Sequence, residues 1–188
     1  MSNQNDVVII EKVLAGDCNA YASIVNEYKD MAVTLAYNIL LNKEDAEEAA
    51  QDAFVKSYSA LRSFNGASKF STWLYRIVVN TALNKRKLKK LKPVELTAYH
   101  DESLNDAYYH AATINNEQRK FIQRSLRSLN DKERICITLY YLNELSVEEI
   151  KKVTGISISN IKVLLFRGRK SLYTALHSSL KDEITTLI

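Results

Sequence analysis

The sequence predicts an all-α protein made of two small helical domains joined by a flexible linker. Three observations carry this. Apolar residues recur at spacings of three and four along almost the whole chain, the period of helices with one buried face. Helix breakers are scarce, with four glycines and one proline in 188 residues. That proline, Pro93, stands in the one stretch without steady periodicity, "KPVELTAYHDESLNDAYYHAATIN" (92–115). This acidic, tyrosine-bearing segment reads as a linker between domains 1–91 and 116–188, with room for short helices of its own. At 46% hydrophobic residues, the chain has enough apolar side chains to build a core.

In the first domain the periodicity predicts helices at Val7–Leu14, Ala20–Leu41, Lys43–Ser63 and Ser71–Leu91. The third begins with the acidic block "NKEDAEEAAQDAF" (42–54), and the fourth ends in the basic block "NKRKLKKLK" (84–92). Acid near a helix N-terminus and base near a C-terminus suit the helix dipole. The density of the basic end goes beyond that and suits phosphate contact. Asn65–Gly66 marks the turn between the two helices. Ser71 or a neighbour caps the fourth, whose expected buried stripe is Phe70, Leu74, Ile77, Val78 and Thr81. Trp73, Arg76, Asn80 and Asn84 fall on neighbouring faces. Trp73 reads as a core residue. Amide side chains beside cations, as at Asn80 and Asn84, suit the base edges and phosphates of single-stranded nucleic acid.

In the second domain the expected helices are Asn116–Ser128, Asp131–Leu142, Ser146–Val153 and Ser159–Ser179. Ser146 and Glu149 have capping-box spacing. Val147, Ile150 and Val153 make one buried stripe, and Gly155 follows where a left-handed backbone is needed. The next helix, with Ser159 as N-cap, puts Ile161, Leu165, Gly168 and Leu172 on one side, with Leu164 at its edge. Lys162, Val163, Phe166, Arg167 and Lys170 lie on the other. A short helix, a glycine turn and a basic second helix make a helix-turn-helix pattern, in which the second helix enters the DNA major groove. Such helix pairs also occur as plain packing units.

Other classes of function find no support. Cys18 and Cys136 are far apart and His100, His110 and His177 are scattered, so neither a metal site nor a disulfide is expected. No glycine-rich phosphate loop and no nucleophile motif is present. The expectation is therefore no catalytic residue, no cofactor and no enzymatic activity. The formal net charge is only +4, so where the charge sits matters more than its sum. No apolar run approaches the roughly 18–20 residues that span a bilayer. The first residues lack the basic start of a signal peptide. A cytoplasmic protein without direct membrane insertion is expected.

The order "DAEEAAQDAF", "FSTWLYRIVVNTALNKRK", linker, "LNDKERICITLYYLNELSVEEIKKVTGISISNIKVLLFRGRKSL" resembles the sigma-70 family of bacterial RNA polymerase sigma factors, in its extracytoplasmic-function (ECF) group. The resemblance covers about residues 10–90 and 115–178. It implies a sigma-two domain that recognises and melts the −10 promoter element, and a sigma-four domain that reads the −35 element. By position, Asp45, Glu48, Gln51 and Asp52 match the helix that docks on the β′ clamp helices of core polymerase. Asn65, Gly66, Ser68 and Lys69 match the loop that captures a flipped −10 base. Arg76, Asn80, Asn84, Lys85 and Lys87 match the helix on −10 DNA. Ser159, Asn160, Lys162, Val163, Phe166, Arg167 and Lys170 match the −35 recognition helix. The implied partners are core RNA polymerase, through its β′ clamp helices and β flap, promoter DNA and an anti-sigma factor. The chain departs from the family at Asn84, where many members carry aspartate, at Lys87, where they carry arginine, and at Val163–Leu164, where a serine–arginine pair is common. An outward Val163 suits a thymine methyl group and cannot hydrogen-bond a base edge. The alternative is a stand-alone helix-turn-helix repressor or activator. It gives the acidic helix and the Trp73–Asn84 set no role. A protein–protein adaptor leaves the basic helix ends unexplained.

Overall fold

The computed structural model describes residues 3–91, 122 and 124–186. The linker 92–115 and the beginning of the helix expected from Asn116 lie outside them. The described residues form helices and turns with no strand, in two compact units.

The first unit holds α1 (Asn3–Leu14), α2 (Tyr21–Leu40), α3 (Lys43–Ala60) and α4 (Phe70–Leu91). Helices α2, α3 and α4 each pack against the other two, and α1 lies on α2. The packing follows from the inward faces. Ile24, Leu35, Ile39, Leu61, Phe70, Leu74, Val78 and Val79 are all 1% exposed or less. Burying each such side chain contributes about 1.5–3 kcal/mol. The inner face of α3 is the small stripe Ala46, Ala49, Ala50 and Ala53, which lets its backbone come close to α2 and α4. Leu41 ends α2 in a left-handed conformation, φ 58°. The Asn42 side chain then accepts from the Asp45 N–H at 2.8 Å to start α3. The helix expected to run on to Ser63 tightens to a 3₁₀ turn at Leu61–Ser63.

One buried carboxylate fixes α1. Asp6 is 1% exposed and accepts from the Tyr28 hydroxyl through Oδ2 at 2.9 Å, while its Oδ1 has no hydrogen-bond partner among the described residues. Burial raises the Asp6 carboxyl above the usual carboxylate range, and the Tyr28 hydrogen bond only partly offsets that.

In the second unit, helical residues 124–127 lead to α5 (Asp131–Ile137), whose N-cap Asn130 accepts from the Glu133 N–H at 3.0 Å. The last five residues of the helix expected at Asp131–Leu142 widen into a π-wound turn, Thr138–Leu142. Helix α6 (Val147–Thr154) opens on the expected capping box: the Glu149 N–H donates to Ser146 Oγ at 3.2 Å and Glu149 Oε2 accepts the Ser146 N–H at 2.9 Å. Gly155 closes it at φ 72°. Helix α7 (Ile158–Thr186) starts before the expected Ser159. Its first side-chain cap is Ser157, whose Oγ accepts from the Asn160 N–H at 3.4 Å. Ser159 is instead an exposed residue of the first turn. Gly168 brings α7 against α5: a Cβ there would lie 2.8 Å from Ile137 Cγ1.

Candidate nucleic-acid interface

Helix α4 exposes one stripe. Taking Arg76 as the reference on the wheel, Asn80, Asn84 and Lys87 lie within about 80° of it, and all four side chains are exposed. The opposite face supplies Leu74, Val78 and Thr81 to the core as the periodicity predicts, while Ile77 is half-buried. The stripe is therefore a rigid ladder of two cations and two amides. At its N-terminal end lies the 65–69 turn. Asn65 Oδ1 accepts from the Ala67 N–H at 3.1 Å, and Gly66 takes φ 74°. Asn65, Gly66 and Lys69 are exposed and Ser68 is half-buried. Behind the turn stand three aromatic rings. Phe64 lies 5.4 Å from Phe70 and 5.6 Å from Trp73, with Phe70 and Trp73 5.5 Å apart between centroids. Trp73 joins this cluster half-buried. Phe64, which no motif in the sequence singles out, makes one wall of it. Its only signal was an aromatic residue directly before an Asn–Gly turn.

Helix α3 carries a different face outward. Glu48, Gln51 and Asp52 are exposed there, followed by Val55 at 67% exposure. Asp45 is turned inward. Its side chain is 12% exposed and pairs with Lys85 at 3.8 Å and, in a close contact, with Lys89. Lys85 also bonds Glu48, Nζ to Oε2, at 2.5 Å. Lys85 sits about 180° round α4 from Arg76, so it does not share the exposed stripe. Two residues expected to face partners, Asp45 and Lys85, are thus engaged with each other's helices. The reason is the pairing of α3 with α4, which sets the acidic start of one beside the basic end of the other. Lys56 adds a further tie, donating to Thr81 Oγ1 at 3.3 Å. Two other cations of the block divide as well: Arg86 donates to the Ile39 carbonyl at 3.3 Å, and Lys87 points outward.

Helix α7 has the two faces the sequence predicts. Ile161 is fully buried, Leu164 and Leu165 nearly so, Gly168 is buried and Leu172 half-buried. Ser159, Asn160, Lys162, Val163, Phe166, Arg167 and Lys170 are exposed. Within that cationic face, Val163 is 44% and Phe166 64% exposed, one turn apart. Apolar groups held outward between cations suit a groove with both phosphates and methyl groups in it. Cys136, in contrast, is fully buried in α5, and burial pushes its thiol up to about 11.

The family profile for Sigma-70 region 2 matches residues 24–91, and that for Sigma-70 region 4 matches residues 122–172. The ECF RNA polymerase sigma factor SigW of Bacillus subtilis is 36% identical over 174 residues, covering 87% of this chain and 92% of SigW. The chain belongs to the ECF sigma factors. The ECF RNA polymerase sigma-E factor of Escherichia coli is 32% identical, over 92% of this chain and 95% of its own length. Among solved structures, the sigma factor RpoE, crystallised with the anti-sigma factor NepR from Bartonella quintana, shares the fold. The TM-score is 0.67 at 20% identity, covering 84% of this chain and 96% of RpoE. As an ECF sigma factor the chain is a promoter-directing transcription initiation factor, and the stand-alone repressor is set aside. The described residues contain no helix long and apolar enough to cross a membrane.

Proposed function

We propose that this sigma factor divides its work among three outward faces. The outer face of α3, with Glu48, Gln51 and Asp52, docks on the β′ clamp helices of core polymerase. The α4 stripe Arg76, Asn80, Asn84 and Lys87, with the Asn65–Lys69 turn at its head, takes the −10 element. A base extruded there costs a few kcal/mol of lost stacking, which the turn and the Phe64–Trp73 wall offset. The outward face of α7, from Ser159 to Lys170, reads the −35 element, and the β flap holds the second domain in place. Asp45 and Lys85 tie α3 to α4 behind these surfaces.

The observation that carries this reading is the sorting of charge by face. The α3 face is acidic and the α4 and α7 faces are cationic with amides or apolar groups between. An acidic face is repelled by DNA and needs another partner, whereas the cationic faces are drawn to phosphate. The protein acts without enzymatic chemistry of its own, in the cytoplasm. Its likeness in fold to a sigma factor crystallised with an anti-sigma factor supports regulation by such a partner. The test separates the faces. Replacing Gln51 and Asp52 by alanine should weaken association with core polymerase at least tenfold. Replacing Asn80 and Asn84 should leave that association intact and abolish promoter opening, read by permanganate footprinting. If the asparagine variants lose polymerase while the α3 variants keep it, the assignment is reversed.

A further inference from the structure

Lys85 stands where the polymerase-facing and DNA-facing helices meet. Its ammonium has two acidic neighbours of unequal standing. Asp45 is 12% exposed in its side chain and already has Lys89 against its other oxygen. Glu48, 2.5 Å from Lys85, is 67% exposed and can be reached from outside. Lys85 itself is 17% exposed. The geometry points to Lys85 as an internal competitor for Glu48: we propose that it attenuates polymerase docking by occupying the carboxylate that a cationic partner surface must take.

This rests on the reading of α3 as the docking face. A partner cation that approaches Glu48 meets a carboxylate whose Oε2 is already held by Lys85, and it either shares the group against the repulsion of that ammonium or displaces it. The displaced ammonium is not stranded, because Asp45 Oδ1 lies 3.8 Å away on its other side. The exchange is one ion pair for another, so Lys85 sets the strength of docking without blocking it. The contact is local to α3 and α4 and leaves the solvent-facing stripe of α4 untouched.

The experiment uses the full chain and core RNA polymerase, with Kd measured at low and moderate salt. Removing the competitor by Lys85→Met, or by Lys85→Gln as a second, more polar variant, should tighten binding about two- to fivefold, the range of exposed ion pairs. The gain should shrink as salt rises. In a Glu48→Gln background the same substitutions should gain nothing, since the contested carboxylate is gone. Lys85→Arg should return the wild-type behaviour. If Glu48→Gln weakens docking but Lys85→Met and Lys85→Gln leave Kd unchanged or weaker, the competitor role is overturned and the docking face stands. A gain of equal size with and without Glu48 also overturns it, because bulk charge then explains the effect. If Glu48→Gln and Asp52→Asn both leave Kd unchanged, the docking face itself is wrong and the competitor role falls with it.

Discussion

Gly168 sits where α7 crosses α5, and an alanine there tests the contact that positions α7. The added methyl would lie 2.8 Å from Ile137 Cγ1 and 3.2 Å from its Cδ1. Carbon atoms prefer about 3.5–4.0 Å, so the overlap is close to 1 Å. Ile137 is 3% exposed and β-branched, so it has little room and few rotamers to yield with. Overpacking of this kind costs about 1–3 kcal/mol. Against it stands the helix propensity of alanine, a gain of about 1 kcal/mol over glycine. The balance is a net loss of about 1 kcal/mol, with α7 pushed away from α5. Amide hydrogen exchange across Ile161–Gly168 in the full chain reads it directly. Gly168→Ala should exchange about fivefold faster, and Gly168→Ala with Ile137→Ala should cost less than the two changes summed. Slower exchange in Gly168→Ala would refute the reasoning, since propensity would then outweigh a contact that is not tight.

Two more outcomes follow from single side chains. Asp6 has its folded-state pKa raised by burial, so its contribution to α1 docking is present at acid pH and lost as pH rises through that value. Asp6→Asn removes the buried charge while leaving a polar atom in the same place, so it should slow exchange of the α1 amides at pH 7; the difference from wild type should close as pH falls toward the carboxyl range, and a benefit that grows in acid would contradict it. Val163 and Phe166 are exposed on the face of α7 proposed to read the −35 element; if they meet thymine methyls there, deoxyuridine in place of thymine, which removes only the methyl, should weaken promoter binding by about fourfold per contacted methyl, as expected for about 0.8 kcal/mol; uniform tolerance of uracil in a filter-binding series would exclude methyl readout.

The helices and their buried faces were legible because each has one strong apolar stripe. Phe70, Leu74 and Val78 in α4, and Ile161 and Leu165 in α7, are buried where the period puts them. The capping box at Ser146 was legible because its chemistry is confined to four residues. The start of α7 was not, because Ser157 and Ser159 offer the same hydroxyl two residues apart, and only the backbone path selects Ser157. The π turn at Thr138–Leu142 leaves no mark in the period of so short a helix. The largest miss was the inward turn of Asp45 and Lys85. Lys89 and Asp45 are 44 residues apart in sequence and meet only because α3 packs on α4. Read alone, each block looks like a surface for a partner. Packed together, one side of each block is taken up in holding the helices in place, and the remaining side faces outward.

The most direct measurement is run-off transcription by core RNA polymerase from a related bacterium, with and without this protein, on a pool of promoters. The account predicts discrete new transcripts that depend on the protein, whose start sites share one −10 and one −35 sequence. No association with core polymerase, and no transcript in its presence, would contradict it.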